Sequence, residues 1–442
     1  MLLIGNGRVI TRNPACPILE NGAVAVRDHK IVEVAATEPL RNKYPTADWL
    51  DASGRIIMPG LINTHMHCYS SFARGMDIKA QSPQEFTEIL ERLWWRLDKT
   101  LTLDDVYYSA AVAMIDCIRN GVTTIFDHHA SPRCVSGSLF RMAEAADNLG
   151  IRTCLCYEVS DRDGAEIAQQ GMDENIDYIS QCRRDNDGMR QALFGLHASF
   201  TLNDDLLRRC ADTAAAMGVG CHIHTAEAFS DVADCQNRFG KRVVERLQAF
   251  GLLNPATITA HCVHVDEREI GILRAEKPFV VHNPESNMGN AVGCAPVLEM
   301  MRQDVRVGLG TDGYTCDMLE SLKVANLLHK HQHQSPAVAW AEPHAMLFEW
   351  NAEFATACFG EQIGQLVPGA LADIVVVDYD PPTPLTADNL NGHVLFGLTG
   401  RSVATTVING KVVMQDRRIR LADEREIFGQ ARKLADKLWR RF

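Results

Sequence analysis

Between residues 59 and 366 the chain alternates eight times between a short apolar run and a helical stretch. The runs are Leu61–His65, Thr123–His128, Arg152–Glu158, Ala192–His197, Gly220–Thr225, Thr257–Cys262, Phe279–Asn283 and Val305–Thr311. Their length suits strands buried on both faces, which read as continuous apolar segments. Leu103–Arg119, Ser138–Leu149 and Asp204–Met217, between them, carry helical spacing. Eight strand–helix units in succession point to a closed parallel barrel rather than an open doubly wound sheet. The expected fold is therefore α/β, a (β/α)8 TIM barrel.

The histidines fall on this pattern in a way that chance does not explain. Of 16 in the chain, ten lie between His65 and His282, each at or just past the end of an expected strand. Barrels of this kind carry their active sites on that face. Any one of these histidines alone would read as a satisfied structural residue; the clustering favours function. His65 and His67, in Asn63-Thr64-His65-Met66-His67, have equal parity on a strand, so both can face the axis and share one metal ion. The fifth run offers His222 and His224, also of equal parity, and spacing does not choose between them. Glu227 follows just beyond, within reach of a metal site or of solvent. The sixth run ends at His261, and the eighth is followed by Asp312, a position that often serves only as a helix cap. Three neutral imidazoles and a carboxylate suit Zn2+ or Fe2+, with one position left for water. The third and fourth strand ends carry no lysine that could bridge a second metal, so one ion is expected. The H-x-E and P-C-x-x-C pattern of cytidine-deaminase zinc sites is absent. The tract His329-Lys330-His331-Gln332-His333 is read as a helix end rather than a metal site.

Both ends of the chain are rich in short strands. Leu2–Ile10, Ala23–Arg27 and Lys30–Ala35 lie at one end, and Ile374–Val377 with the Asn409-Gly410 hairpin at the other. The expected organisation is a composite β-sandwich domain from 1–58 and 367–420, a barrel over 59–366, and a helix over 421–442. The segment from Cys68 to Leu101 follows the first strand and is read as a partial lid, with one of Trp94 and Trp95 packing it down. A formal net charge of -12 argues against nucleic-acid or anionic-membrane partners. No apolar run reaches membrane-spanning length, no signal peptide is recognised, and C-x-x-C pairs are absent. A cytoplasmic enzyme with reduced thiols is the expectation.

In order along the chain stand Met58-Pro59-Gly60-Leu61-Ile62-x-x-His65-x-His67, His224-x-x-Glu227, Ala260-His261-Cys262, His282-x-Pro284-x-Ser286-Asn287 and Gly310-Thr311-Asp312-Gly313. This series resembles the amidohydrolase superfamily and, within it, the ATZ/TRZ-like, cytosine-deaminase-like branch. Leu93–Asp98 and Asp127–Pro132 are similar to the SsnA-type aminohydrolases. The resemblance implies His65, His67, His224 and Asp312 as metal ligands, the choice of His224 resting on the His-x-x-Glu spacing. It implies Glu227 as proton shuttle, His261 as the residue that orients the attacking water, and Asp312 as a catalytic group as well as a ligand. Arg74, Trp95, His128, His129, His197, His282 and Asn287 are the candidates for substrate contact. Asn283 and Glu285 depart from the usual His-Cys-Pro-x-Ser-Asn, in a loop expected to face substrate, and Glu285 is read as solvated. The implied activity is hydrolytic deamination of a purine-, pterin- or triazine-like heterocycle with one zinc ion, or iron in its place. The alternatives are ring opening of a cyclic amide or imine, and chlorohydrolysis. Relatives of this kind are often homodimers.

Overall fold

The computed structural model describes residues 1–442. Eight expected strands become nine, arranged in two parallel sheets. One sheet runs Leu61–Met66, Val122–His129, Arg152–Tyr157, Arg190–Ala192; the other runs Phe194–Ala198, Cys221–Thr225, Ile258–His261, Phe279–His282, Val307–Leu309. The extra strand comes from dividing the fourth expected run. The amide of Leu193 still donates to Leu155 O (3.3 Å), whereas that of Phe194 donates to Gly220 O (2.9 Å). The chain thus passes from one sheet to the other within a single residue. Gly195 permits the close approach there, since a Cβ would stand 2.2 Å from Tyr157 O.

The two sheets touch at both of their edges. Val159 bridges Leu196 at one junction and Met66 bridges Asp312 at the other. At the second junction the amides of Thr311 and Asp312 both donate to His65 O, at 3.0 and 2.9 Å. Asn351, from the helix Asn351–Phe359, works there as a substitute peptide group. Its Nδ2 donates to Ile62 O (2.9 Å) and Leu309 O (2.8 Å), and its Oδ1 accepts from Leu309 N (2.9 Å). An apolar plug of Phe126, Phe279, Phe354 and Phe359 packs among the strands at their early residues, Phe279 stacking on Phe354 at 4.4 Å. The polar strand ends are left to build a site.

Both ends of the chain contribute to a single nine-stranded sheet, joined where Ile374–Val377 runs antiparallel to Ile56–Pro59. Asn409 and Gly410 take φ of 50° and 77°, the positive values that a tight hairpin turn requires. The helix Glu424–Arg441 starts on an Asp423 cap and packs against Leu103–Arg119, itself opened by a Thr102/Asp105 capping box. Trp439 Nε1 donates to Phe72 O (2.8 Å), so this helix also pins the lid. No helix is long and apolar enough to cross a membrane.

One buried ion pair ties the terminal sheet to the parallel strands. Arg152 pairs with Asp373, both at most 1% exposed, and Asp373 also accepts from the amide of Asn409 at 2.8 Å. Removing one partner strands the other charge in the interior. Asp373→Ala is expected to destabilise the protein by about 3–5 kcal/mol, read as a lowered urea midpoint, with the hairpin at Asn409 losing amide protection first.

Candidate metal centre and active-site cavity

A buried imidazole can present a lone pair to a metal only if its other nitrogen is occupied as a donor. Three histidines meet that condition around one point. His65 Nδ1 lies 2.8 Å from His222 Nε2, His67 Nδ1 lies 2.5 Å from His128 O, and His224 Nδ1 lies 2.9 Å from His197 O. Their Nε2 atoms converge: those of His67 and His224 are 3.2 Å apart, and Asp312 Oδ1 stands 3.0 Å from His67 Nε2 and 3.4 Å from His65 Nε2. Donor atoms of His65, His67, His224 and Asp312 all lie within 4.8 Å of one another. His222, of the same parity as His224, is spent on orienting His65.

These residues suit a divalent cation. His65 Nε2 is buried and has no hydrogen-bond partner. Burial depresses the imidazoles of His65, to about 3, and of His224, keeping both in the neutral form that ligates. Burial also disfavours charge on His67, but Asp312 outweighs it and raises that group to about 9. Burial opposes ionisation of Asp312 as well, yet hydrogen bonds from His65 and His67 hold it well below the usual carboxylate range.

Backbone geometry aims the remaining groups. Ala226, His261, Cys262 and Asp312 take φ of 47°, 73°, 50° and 54°, an uncommon left-handed conformation for residues with a side chain. Ala226, His261 and Cys262 stand at or next to a strand end, and Asp312 lies three residues beyond Leu309. His261 Nε2 lies 3.6 Å from Glu227 Oε2 and 4.0 Å from Asp312 Oδ2, while its Nδ1 is 2.8 Å from Asn287 Oδ1. Ser286 Oγ donates to Asp312 Oδ2. Burial raises Glu227 to about 7, against the facing His261 and with the help of the Asp312 charge.

A cavity opens over this cluster. His67, His224, Glu227 and Asp312 form its floor, and Tyr69, Phe86, Trp94, Trp95, Phe200 and Tyr314 its walls. Both tryptophans of the lid thus line the cavity, where only one was expected to.

The candidates for substrate contact divide. Trp95 and His197 line the cavity. Arg74 does not: its side chain is 66% exposed and donates to Asp116 at 2.8 Å. His128 and His129 are buried behind the wall, the first donating through Nε2 to Leu196 O and His222 O, the second bonded to Ser131 Oγ. Asn287 sits behind His261 and fixes its ring. His282 packs on His329, the two Nε2 atoms 3.2 Å apart; His329 is buried in the last turn of the helix Met318–Gln332, the helix end expected for that tract. Asn283 and Glu285 are also outside the lining. Glu285 is part-buried, accepts from Ser321 Oγ at 2.6 Å and is raised to about 8 chiefly by burial, which corrects the solvated reading. Sequence reasoning missed Glu158, Tyr69, Phe200 and Tyr314 among the lining residues, and for Glu158 the end of a parallel strand is the only signal.

The pattern that defines the amidohydrolase family matches residues 56–413. The chain belongs to the amidohydrolase family. It is 30% identical over 441 residues to a 5'-deoxyadenosine deaminase of Methanosarcina mazei, covering 99% of this chain and 98% of that one. It is also 30% identical over 446 residues to a 5-methylthioadenosine/S-adenosylhomocysteine deaminase of Pelotomaculum thermopropionicum, with 99% and 98% covered. Among solved structures, an adenosine deaminase from Xanthomonas campestris with bound zinc superposes with a TM-score of 0.87 at 24% identity, covering 99% and 98%. That likeness shows a shared fold, and the donor set described above could hold a metal ion.

Because His222 acts through His65, its loss is expected to weaken metal binding without removing a ligand. His222→Ala should bind zinc roughly 10–100-fold more weakly, measured by competition with a chromogenic chelator. Asp312→Asn should lose more.

Proposed function

We propose that this amidohydrolase is a mononuclear metallo-hydrolase that deaminates a purine-like heterocycle. The observation that carries the proposal is the meeting of four metal donors with Glu227 and His261 at and just beneath the floor of an aromatic cavity. Full-length relatives named as deaminases support it. The bridges at both sheet junctions support closure of the nine strands into one barrel, with the sheet from both chain ends as a second domain.

In this reading His65, His67, His224 and Asp312 hold one divalent ion, zinc by the likeness of donor set. When bound, such an ion supplies Lewis acidity, lowering the pKa of water toward ~7. The protein's own groups do the rest. Asp312 accepts a proton from the attacking water. His261, its ring fixed by Asn287, hydrogen-bonds that water and orients it toward the ring carbon. Glu227, with a pKa near 7, delivers a proton to a ring nitrogen and so makes the adjacent carbon electrophilic. Water's oxygen bonds to that carbon, the C–N bond breaks, and ammonia leaves with the remaining protons. Trp94, Trp95 and Phe200 give the flat ring a slot.

The test is ammonia release by metal-replete protein from a panel of purines, pterins, pyrimidines and triazines. Glu227→Gln is expected to lower turnover by roughly 10²–10⁴-fold while metal content stays the same. A metal-loaded protein that releases no ammonia from any of these rings would overturn the proposal.

A further inference from the structure

The loop that carries Glu227 leaves its strand through Ala226, whose φ of 47° is left-handed. A residue with a side chain keeps such backbone only where its surroundings impose it. Three hydrogen bonds do so here. Beyond the strand Ile258–His261, the amides of Cys262 and His264 donate to Thr225 O and Ala226 O, both at 2.9 Å. From the other side, the amide of Ala226 donates to Asp231 Oδ2 at 2.9 Å. Ala226 is thus held by its carbonyl and by its amide. The first two bonds join main chain to main chain. The third depends on the side chain at position 231.

Asp231 lies 3% exposed in the first turn of the helix Phe229–Phe239. Its Oδ1 is buried with no partner, so the Ala226 amide is the one hydrogen bond its carboxyl makes. A carboxyl kept in the interior for one backbone bond is a poor source of stability. What the bond secures is the direction of the residue that follows Ala226. Glu227 has little else to hold it. Asn290 Nδ2 stands 3.5 Å from its Oε1 and His261 Nε2 3.6 Å from its Oε2. With partners this distant, the backbone sets where the Glu227 carboxyl stands.

We infer that Asp231 is a positioning residue for Glu227: by holding the Ala226 amide it fixes the turn that sets the Glu227 carboxyl beside His261. The inference rests on the deaminase reading above, in which Glu227 moves the proton, and adds to it a residue that acts through Glu227. The role asks for an acceptor and not for a charge. Burial raises the Asp231 carboxyl to about 8, against the bond from Ala226 and with the help of the Glu227 charge. Asparagine offers the same acceptor without the charge, whereas alanine offers none.

Two measurements on the metal-replete full chain test this. The first uses whichever ring of the panel releases ammonia. Asp231→Ala is expected to lower kcat about 10–100-fold, with KM and metal content unchanged. Asp231→Asn should stay within about twofold of the parent. In the Glu227→Gln background, Asp231→Ala should cost less than about twofold more, because the group it positions is already gone. A full additive loss in that double variant, or a loss in KM in place of kcat, would overturn the inference. Should Asp231→Ala fail to fold, the asparagine variant decides, and a loss of about tenfold or more there would overturn it equally. The second measurement needs no substrate. Hydrogen exchange read at the Ala226 amide is expected to quicken about tenfold or more in Asp231→Ala and to stay as in the parent in Asp231→Asn. Undiminished protection in Asp231→Ala would overturn the inference. Absence of ammonia from every ring would count against the deaminase reading, while the exchange comparison would still decide whether Asp231 holds this turn.

Discussion

Three imidazole nitrogens can point at one spot inside a protein only if each ring gives away its other nitrogen. That requirement organises much of this structure. His67 and His224 hand their Nδ1 atoms to main-chain carbonyls of neighbouring strands, and His65 hands its own to a fourth histidine. The carbonyl partners belong to His128 and His197, residues whose side chains do other work. Shifting one strand by a residue would therefore lose a ligand, its orienting partner and part of the cavity wall together. The dense register of parallel strands around the centre is the scaffold that makes the convergence rigid.

The same accounting explains which features were legible beforehand. Strand alternation, the order of motifs and the equal parity of His65 and His67 are local properties, and periodicity reports them directly. The Asn409-Gly410 turn is local too, because its positive φ values are dictated by the residues themselves. The terminal sheet could be anticipated from β-rich ends, although its single nine-stranded order depends on pairings across more than 300 residues.

What periodicity misses begins where strands stop being strands. His261, Cys262 and Asp312 adopt left-handed backbone at or within three residues of strand ends, so counting by twos no longer tells which way a side chain points. His128, His129 and His282 lie within regular strands, and the partners they find in the interior, which periodicity does not report, hold them behind the wall. Glu158 shows the opposite case. It lines the cavity, with Arg162 and His128 behind it, and the periodicity of its strand does not announce that place. Arg74 illustrates a third limit: a charged residue in a lid finds a nearby carboxylate, Asp116, and turns outward to it.

The seam between the first and last parallel strands has a consequence for how the protein matures. Asn63 and Thr311 are bonded across a separation of 248 residues, and the neighbouring residues His65, His67 and Asp312 offer three of the four donors that could hold a metal ion. During synthesis the first two histidines emerge long before the aspartate. A contact of such high sequence separation forms late, after the intervening helices and strands have packed. The complete donor set is therefore a product of finished folding rather than a nucleus for it. An ion that the full set could hold would find its site complete only once this seam has closed.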